Sequence, residues 1–254
     1  MFYPHICTKP HISKELEFAC VEPKESDLRL IWYVETQHNS ILPVKNVKPI
    51  GYVLGGQPGS GKSFITQNIV GANSNILCIN FDSYRKWHPN FSEIQEKFGK
   101  DSSKITAPFA GKVTEALIKR AIEEKYNVLI EGTFRTAETP LKTLQNLKDN
   151  GYRTVVLIKT CPAEISWNRC LSRYEEGLKN KLGNQRYTAK EHHDLVVSNL
   201  AKNADTVFKS GLVDMFMVVG DSGKVIFDST KNNLNLNPSH SISKELGLGK
   251  DLSR

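Results

Sequence analysis

A glycine-rich stretch after residue 54 constrains the fold and the chemistry of this chain more than any other feature. It reads Gly-Gly-Gln-Pro-Gly-Ser-Gly-Lys-Ser from Gly55 to Ser63, and from Gly56 it matches the pattern G-x-x-x-x-G-K-S of phosphate-binding loops. Glycines let successive backbone N–H groups converge on a triphosphate where a Cβ atom would collide. A strand-like run precedes the stretch and a helix-like run follows it, which is the setting such a loop requires. The stretch therefore predicts a nucleotide-binding site.

The positions of this phosphate loop have separate predicted roles. Lys62 carries a positive charge to the β- and γ-phosphates, and Ser63 offers its hydroxyl to Mg²⁺ as the predicted metal ligand. The helix that follows directs its positive dipole end toward the same phosphates. The predicted nucleotide-binding residues are Gly56, Gln57, Pro58, Gly59, Ser60, Gly61, Lys62 and Ser63.

Strand-like and helix-like segments alternate from Gly51 onward, which predicts an α/β fold. Such alternation implies a mainly parallel sheet with helices on both faces, as in P-loop NTPases and kinases. The turn Asp221-Ser-Gly-Lys224 predicts a closing hairpin, and Thr188-Ala-Lys-Glu191 is a capping-box sequence that predicts a helix start. The predicted strands are Tyr52–Gly55, Ile76–Phe81, Asn127–Glu131, Thr154–Thr160 and Met215–Gly220, and the predicted helices are Phe64–Val70, Lys112–Lys125, Pro140–Asn150 and a region from Ala163 to about Ser210.

The chain divides by composition into three parts. Residues 50–228 form the predicted P-loop kinase domain, and residues 229–254 are polar and predict a loosely held C-terminal tail. Residues 1–49 are an N-terminal extension with one strongly apolar run, Leu28–Val34, which predicts a strand or short helix that packs on something. The extension is either an additional layer on the fold or a regulatory segment.

Composition narrows the class of protein. The chain has 254 residues, of which 39% are hydrophobic, and it lacks an apolar run long enough to cross a bilayer. Its start lacks the order of a secretion signal, and its five cysteines are scattered, so we expect a cytoplasmic protein with reduced thiols. The net charge of +7 suits anionic ligands. Because Lys and Arg form no dense block with interleaved aromatic residues, nucleic acid is not the expected partner.

Polar residues follow two of the predicted strands, where parallel-sheet enzymes gather their chemistry. Asp82 ends the second strand and is a candidate general base, although it could instead cap the next turn. Glu131, Thr133 and Arg135 end the third strand and suit a polar acceptor, although a chance cluster of loop residues would look the same. From its position on the predicted helix Lys112–Lys125 alone, Glu115 is expected to be a solvent-exposed glutamate.

Basic residues in the second half of the chain are candidates for contacts with the transferring phosphate. Arg169 and Arg173 are four residues apart and share one helix face, and Arg186 stands just before the predicted capped helix. Arginines that reach a γ-phosphate stabilise the transition state, but each of these could also be a surface ion-pair residue. The adjacent His192 and His193 point to different sides of a helix, so joint metal binding is not expected.

The ordered series of motifs resembles one family, the zeta-type toxins of bacterial toxin–antitoxin modules. The similarity extends from about Gly51 to Phe227, and a series of this kind is far more specific than a single phosphate loop. Besides the loop itself, the motifs are Asp82-Ser-Tyr-Arg-Lys-Trp-His-Pro-Asn-Phe91, Val113-Thr-Glu-Ala116, Glu131-Gly-Thr-Phe-Arg-Thr136, Arg173-Tyr-Glu175 and Arg186-Tyr-Thr188.

The resemblance implies a specific reaction. Proteins of this family phosphorylate a sugar hydroxyl of UDP-N-acetylglucosamine with ATP or GTP and Mg²⁺, which blocks cell-wall synthesis. It also implies that Lys62, Asp82, Arg173 and Arg186 are catalytic, with Asp82 activating the hydroxyl. The residues implied to contact the amino-sugar nucleotide are Glu115, Glu131, Thr133 and Arg135.

Two departures from the family pattern bear on activity and regulation. Asn80 stands where the family often has a second carboxylate, so a side chain that could help hold metal-bound water is neutral here. The extension at residues 1–49 is longer than the usual family lead-in. Family toxins are restrained by a separate helical antitoxin, and we hypothesise that residues 1–49 supply some of that restraint in cis.

Two other functions fit the same residues. A related P-loop kinase could act on a different hydroxyl, on an antibiotic or a nucleic-acid end. A nucleotide-binding regulatory module without transfer activity would also need the phosphate loop, but it would not need a base at Asp82.

Overall fold

A six-stranded sheet organises the computed structural model of the chain, which describes residues 13–180, 186–231 and 237–248. The strands are β1 (Ile50–Gly55), β2 (Leu77–Asn80), β3 (Val128–Glu131), β4 (Arg153–Lys159), β5 (Met215–Val219) and β6 (Val225–Asp228). Their order across the sheet is β2-β3-β1-β4-β5-β6, and every neighbouring pair is parallel except β5 and β6. The predicted α/β fold, its mainly parallel sheet and its closing hairpin are confirmed.

The helices connect the strands close to where the sequence predicts them. The region predicted as helical from Ala163 to about Ser210 holds two helices, and residues 181–185 between them lie outside the described residues. Within the described chain, no helix is both long enough and apolar enough to cross a membrane. The helices are α1 (Lys14–Ala19), α2 (Glu25–Glu35), α3 (Lys62–Ala72), α4 (Phe91–Phe98), α5 (Ser102–Ile105), α6 (Ala107–Glu123), α7 (Glu138–Asp149), α8 (Ala163–Lys179), α9 (Lys190–Phe208) and α10 (Pro238–Leu246), with 3₁₀ turns at Phe81–Trp87 and Gly99–Asp101.

Both faces of the sheet are covered, because successive strand residues point in opposite directions. Val156 belongs to the larger apolar cluster, which also contains residues of α6, α7, α9 and α10, whereas its neighbour Leu157 belongs to a smaller cluster beneath α3. Ile65 is the buried contact that α3 makes with this second face. The near-continuous apolar composition of β4 follows from burial on both sides.

The central position of β1 decides what surrounds the phosphate loop. β1 pairs with β3 on one side and with β4 on the other. Since the carboxyl ends of parallel strands share one edge of a sheet, residues that follow β2 and β3 lie on one side of the loop, and residues that follow β4 and β5 lie on the other.

The N-terminal extension packs on the fold as an additional layer in its described part. Ile31 and Trp32 on α2 are 0% and 3% exposed, and the Trp32 ring meets the Tyr126 ring edge to face at a centroid distance of 5.3 Å. Hydrogen bonds and ion pairs that leave residues 13–49 end on Asn75, His88, Lys112, Lys125 and Arg153. Among these described contacts none reaches the phosphate loop, so the hypothesis of restraint in cis gains no contact from residues 13–49. Residues 1–12 lie outside the described chain.

The expectation of a loosely held C-terminal tail is wrong for residues 237–248. The Asn237 side chain accepts a hydrogen bond from the His240 N–H at 2.9 Å and so caps α10. Ile242 and Leu246 on α10 are buried in the larger apolar cluster. A polar average composition concealed these two apolar residues, whose spacing of four places them on one helix face.

Candidate active site

The phosphate loop has three glycines with a positive φ, and at two of them, Gly56 and Gly59, the structure also leaves no room for a Cβ atom. Gly56 has φ of 144° and Gly59 has φ of 78°. A Cβ atom on Gly56 would stand 2.0 Å from the backbone oxygen of Lys159, and one on Gly59 would stand 2.0 Å from that of Ser166. The Gln57 side-chain amide donates to the Cys161 oxygen at 2.7 Å, which fixes the loop against the end of β4.

The start of α3 is where the sequence predicts an anion site. Gly61, with φ of 89°, precedes the helix, and Lys62 is its first residue. The Nζ atom of Lys62 folds back over the loop and donates to the backbone oxygens of Gly56 at 2.8 Å and Gln57 at 3.2 Å. Ser63 is exposed beside it. A phosphate bound to the first N–H groups of α3 would lie within reach of this ammonium group.

The charge of Lys62 is sensitive to its surroundings. Burial and the charges of Arg186 and Arg173 lower the pKa of Lys62 to about 8, against the raising effects of Glu131 and Asp82. These four charged groups come from different segments of the chain, and each acts on the pKa of Lys62.

Asp82 is held as a carboxylate by two arginines. Arg85 Nε donates to Oδ1 at 2.9 Å, and Arg186 Nη1 lies 2.6 Å from Oδ2. Burial raises the pKa of Asp82, but the charges of Arg186, Arg85 and Lys62 outweigh burial, so the pKa lies below its ordinary value. The Asn80 side chain accepts a hydrogen bond from the Asp82 N–H at 3.0 Å and holds the turn that carries the carboxylate. Asp82 is therefore unprotonated at neutral pH, and its two arginine partners weaken it as a proton acceptor for as long as both stay bound.

Glu131 connects three segments of the site. One of its carboxylate oxygens accepts from Thr66 Oγ1 on α3 at 2.7 Å, and the other accepts from Asn80 Nδ2 at 2.9 Å. Asn80 thus donates to one carboxylate while its own oxygen holds the backbone of Asp82, a combination that an unprotonated aspartate cannot supply.

The loop after β3 is fixed in a strained conformation. Phe134 has φ of 56° and is 3% exposed, and its ring occupies the space where a Cβ atom on Gly55 would stand, 2.3 Å away. Asn203 Nδ2 on α9 donates to the backbone oxygens of Phe134 and Arg135, both at 2.9 Å. Thr133 is half-buried and Arg135 is exposed on the same loop. The predicted acceptor-side residues of this loop are therefore held beside the phosphate loop.

Arg173 projects from α8 toward the segment that carries Arg186. Its Nη2 donates to Thr188 Oγ1 at 3.4 Å. The capping box predicted at Thr188 is wrong, because α9 begins at Lys190 after Ala189 and no side chain caps its first turn. Thr188 is buried, and its hydroxyl serves the arginine instead of the helix.

Other candidate residues lie apart from these contacts. Arg169 forms a two-point ion pair with Asp221 at 2.7 and 3.3 Å, in agreement with the surface ion-pair interpretation. Glu115 is exposed on α6, as its spacing predicts. His193 is buried against Ser166, whereas His192 is half-buried. In the described residues no three His, Cys, Asp or Glu side chains gather into a metal-binding group.

Three residues of the site were missed by sequence reasoning. Arg85 lies three residues after Asp82, a spacing that places both on one side of a helical turn and could have indicated the pair. Thr66 lies one helical turn after Lys62 and faces the sheet. Asn203 carries no signal in the sequence, because only the packing of α9 brings it to the loop after β3.

The residues present fit a nucleotide with Mg²⁺. Ser60 Oγ and Thr160 Oγ1 are buried around the phosphate loop without a hydrogen-bond partner in the described structure, and a phosphate oxygen would accept a hydrogen bond from either hydroxyl. Mg²⁺ usually takes one or two protein ligands and completes its shell with phosphates and water. The exposed hydroxyl of Ser63 suffices as such a ligand.

Comparison with known proteins identifies the family. The family model for zeta toxins matches residues 36–232, which is well over half of the chain. The chain belongs to the zeta toxin family. This membership confirms the resemblance that the ordered sequence motifs indicate, and with the fold it makes the chain a kinase-like toxin.

Relatives of the zeta toxin family support the assignment along most of the chain. Toxin PezT of Streptococcus pneumoniae serotype 4 is 37% identical over 186 residues, which cover 73% of this chain and 74% of that protein. Toxin zeta of Streptococcus pyogenes is 34% identical over 199 residues, which cover 78% of this chain and 69% of that protein.

Solved structures agree with the fold. The structure of the PezAT chromosomal toxin–antitoxin system of Streptococcus pneumoniae contains a chain with a TM-score of 0.75 and 28% identity, over 89% of this chain and 88% of that chain. An AvrRxo1-ORF1:ORF2 complex solved with ATP gives a TM-score of 0.51 at 14% identity, over 84% of this chain and 64% of that chain, and so shares the fold alone.

Proposed function

We propose that this zeta toxin transfers the γ-phosphate of ATP to a sugar hydroxyl of UDP-N-acetylglucosamine in the cytoplasm. The observation that carries the proposal is the position of the Asp82 carboxylate, which follows β2 and lies 2.9 Å from Arg85 and 2.6 Å from Arg186. A protein that only binds nucleotide would not need a proton acceptor across from the phosphate loop.

The proposed reaction is a single phosphoryl transfer. The acceptor hydroxyl oxygen forms a bond to the γ-phosphorus, and the bond between that phosphorus and the β–γ bridging oxygen breaks, which releases ADP. The hydroxyl proton passes to Asp82. Lys62, Arg173 and Arg186 offset the negative charge that spreads over the transferring group.

Mg²⁺ belongs to the donor half of this proposal. Ser63 would be its protein ligand, and the ion would neutralise charge on the β- and γ-phosphates. The remaining loop residues, from Gly56 to Lys62, would hold the same phosphates through backbone N–H groups and the Lys62 ammonium.

The proposed acceptor site lies on the side of β1 that carries β2 and β3. Glu131, Thr133 and Arg135 provide carboxylate, hydroxyl and guanidinium groups that can bind the hydroxyls, amide and diphosphate of an amino-sugar nucleotide. Glu115 is the least supported member of this set, because it is exposed on α6 and makes none of the site contacts described above.

An antitoxin is the proposed regulator. The PezAT system pairs a toxin with an antitoxin, and we extend this arrangement to the present chain. The described residues 13–49 pack on α6 and its surroundings, so an external partner accounts for restraint better than this segment does.

Mass spectrometry can test the acceptor directly. Purified protein, MgATP and a panel of UDP-sugars are incubated, and each sugar is examined for an added phosphate. We expect phosphorylated UDP-N-acetylglucosamine with the wild-type chain and none with Lys62→Ala. If every UDP-sugar stays unmodified while MgATP binds, the acceptor assignment is wrong.

The same assay tests the base. Asp82→Ala should retain nucleotide binding and lose about 10²- to 10⁴-fold in transfer rate, the usual contribution of a general base. Product formed by Asp82→Ala at the wild-type rate would remove Asp82 from the mechanism.

A further inference from the structure

The two arginines that bind Asp82 differ in how firmly they are held. Arg186 comes from the segment before α9, its side chain is 34% exposed, and the ion pair with Asp82 is the side-chain contact found for it among the described residues. Arg85 is 16% exposed and lies on the same 3₁₀ turn as Asp82. The more firmly held partner is therefore Arg85.

Arg85 is anchored by four contacts. Its Nε donates to Asp82 Oδ1 at 2.9 Å, and its Nη1 donates to the backbone oxygen of Ser103 and to Thr106 Oγ1, the latter at 3.2 Å. Its guanidinium carbon lies 4.6 Å from the centre of the Phe81 ring. A planar guanidinium that is held at both ends and on one face has a single orientation, so the direction of its Nε–H bond is fixed.

The anchoring of Arg85 extends into the next helices. Thr106 immediately precedes α6, and its hydroxyl donates to the Ser102 oxygen at 2.9 Å while accepting from Arg85. The carboxylate of Asp82 is thereby tied to α5 and α6 through Arg85, and not only to its own turn.

We infer that Arg85 is a positioning residue, which holds the carboxylate of Asp82 in its orientation toward the acceptor. Arg186, in contrast, leaves Asp82 during the reaction and binds the transferring phosphate. This inference rests on the proposed phosphoryl transfer. A base that loses Arg186 during the reaction still needs one fixed partner, and Arg85 supplies it without contacting either substrate. The other ionisable groups that interact with Asp82 among the described residues are Lys62, Arg173 and His192, and burial lowers the pKa of His192.

Three variants test the role of Arg85. Arg85→Met removes the charge and the hydrogen bonds but keeps a long apolar stem beside Phe81, and Arg85→Lys restores a charge with a different donor geometry. Arg120→Met is the matched control, because Arg120 makes the same two kinds of contact. Its guanidinium carbon lies 4.4 Å from the centre of the Trp32 ring, and its Nε lies 2.7 Å from a carboxylate oxygen of Glu124.

Kinetics of the full chain with MgATP and UDP-N-acetylglucosamine provide the first measurement. We expect kcat of Arg85→Met to fall on the order of 10²-fold, with KM for ATP unchanged within about threefold, because the base is misplaced and the phosphate loop is intact. Arg85→Lys should recover part of the loss, and Arg120→Met should match the wild type. Wild-type kcat in Arg85→Met, or an equal loss in Arg120→Met, would overturn the inference.

A second measurement does not depend on the acceptor. Carbon-13 NMR of aspartate carboxyl groups, with the Asp82 signal assigned through Asp82→Asn, follows the pKa of Asp82 in the nucleotide-free protein. Loss of the adjacent cation should raise this pKa in Arg85→Met and leave it unchanged in Arg120→Met. An unchanged pKa in Arg85→Met overturns the inference. A raised pKa combined with a wild-type chain that phosphorylates no UDP-sugar supports the Arg85 assignment and contradicts the proposed acceptor.

Discussion

The donor half and the acceptor half of the candidate site are built in different ways. The donor half is the phosphate loop, Gly56–Ser63, in which consecutive residues supply backbone N–H groups, a lysine and a serine. The proposed acceptor half gathers Asp82 after β2, Glu131 at the end of β3 and Arg186 before α9, which the order of the strands and the packing of α9 bring together. The donor half depends on backbone conformation, whereas the acceptor half depends on a network of side chains.

This difference predicts separable defects. Changes to the backbone of the phosphate loop should weaken nucleotide binding, because they act before any acceptor is present. Changes to the side-chain network should spare nucleotide binding and impair the use of the acceptor. Four experiments test the distinction.

The largest effect is expected from Gly56→Ala. A Cβ atom at this position meets the Lys159 oxygen at 2.0 Å, and φ of 144° disfavours any side chain. Strain and overpacking together cost about 3 kcal/mol, so the Kd for MgATP should rise about 100-fold in calorimetry. Gly71→Ala is the control. Gly71 lies within α3, the helix that follows the phosphate loop, and nothing lies within 4 Å of its Cβ position. Equal Kd values for both variants would contradict the claim that nucleotide binding depends on the backbone conformation of the phosphate loop.

Asn80→Asp should damage the acceptor half. The substitution removes the hydrogen bond to Glu131 at 2.9 Å and places two carboxylates side by side. A hydrogen bond to a charged group contributes about 1.5–3 kcal/mol, so we expect kcat/KM for the acceptor to fall about 10- to 100-fold with little change in the Kd for MgATP. Asn73→Asp, at an exposed helix end, is the control. A variant with improved turnover would mean that a carboxylate at this position assists the reaction.

The pKa of Lys62 predicts a dependence of nucleotide binding on pH. Because this pKa is lowered to about 8 in the free protein, Lys62 loses its charge as the pH rises through 8, and the binding of phosphates favours the charged form. The Kd for MgATP should therefore increase about tenfold between pH 7 and pH 9. Lys62→Ala should bind more weakly and show a flat profile. A wild-type profile as flat as that of the variant would remove Lys62 as the titrating group.

The smallest effect is expected from Asn203→Ala. Its amide donates to two backbone oxygens of the strained loop after β3, and their loss should let Phe134 relax. Two neutral hydrogen bonds of about 0.5 kcal/mol each correspond to a rise of about fivefold in KM for the acceptor. Asn199→Ala, one turn earlier on the same helix, is the control, since its amide donates only within α9 at 2.9 Å in the described structure. If the Kd for MgATP rises and KM for the acceptor does not, the loop after β3 belongs to the donor half.

The N-terminal and C-terminal segments show where composition misleads. The apolar run Leu28–Val34 lies entirely within α2. Its predicted packing against the rest of the protein is confirmed, because Ile31 and Trp32 are buried. Residues 237–248, expected to form a loose tail, contain a capped helix whose few apolar residues all face the core. The average polarity of a segment does not report which side of a helix its apolar residues occupy. The division into three parts at residues 49 and 228 stays a prediction.

The sequence by itself determined the fold class, the five parallel strands with their closing hairpin, the phosphate loop and the family, because these depend on local periodicity and on consecutive residues. It also indicated Asp82 and Glu131, since Asp82 follows one apolar run of the sequence and Glu131 ends another. Only the tertiary structure decided that Arg85 and Arg186 share the Asp82 carboxylate, that Asn80 connects Asp82 to Glu131, and that Thr188 serves Arg173 instead of capping α9. These contacts join side chains that are distant along the chain or that have several possible partners, and the physical choice among those partners is made when the sheet and its covering helices pack.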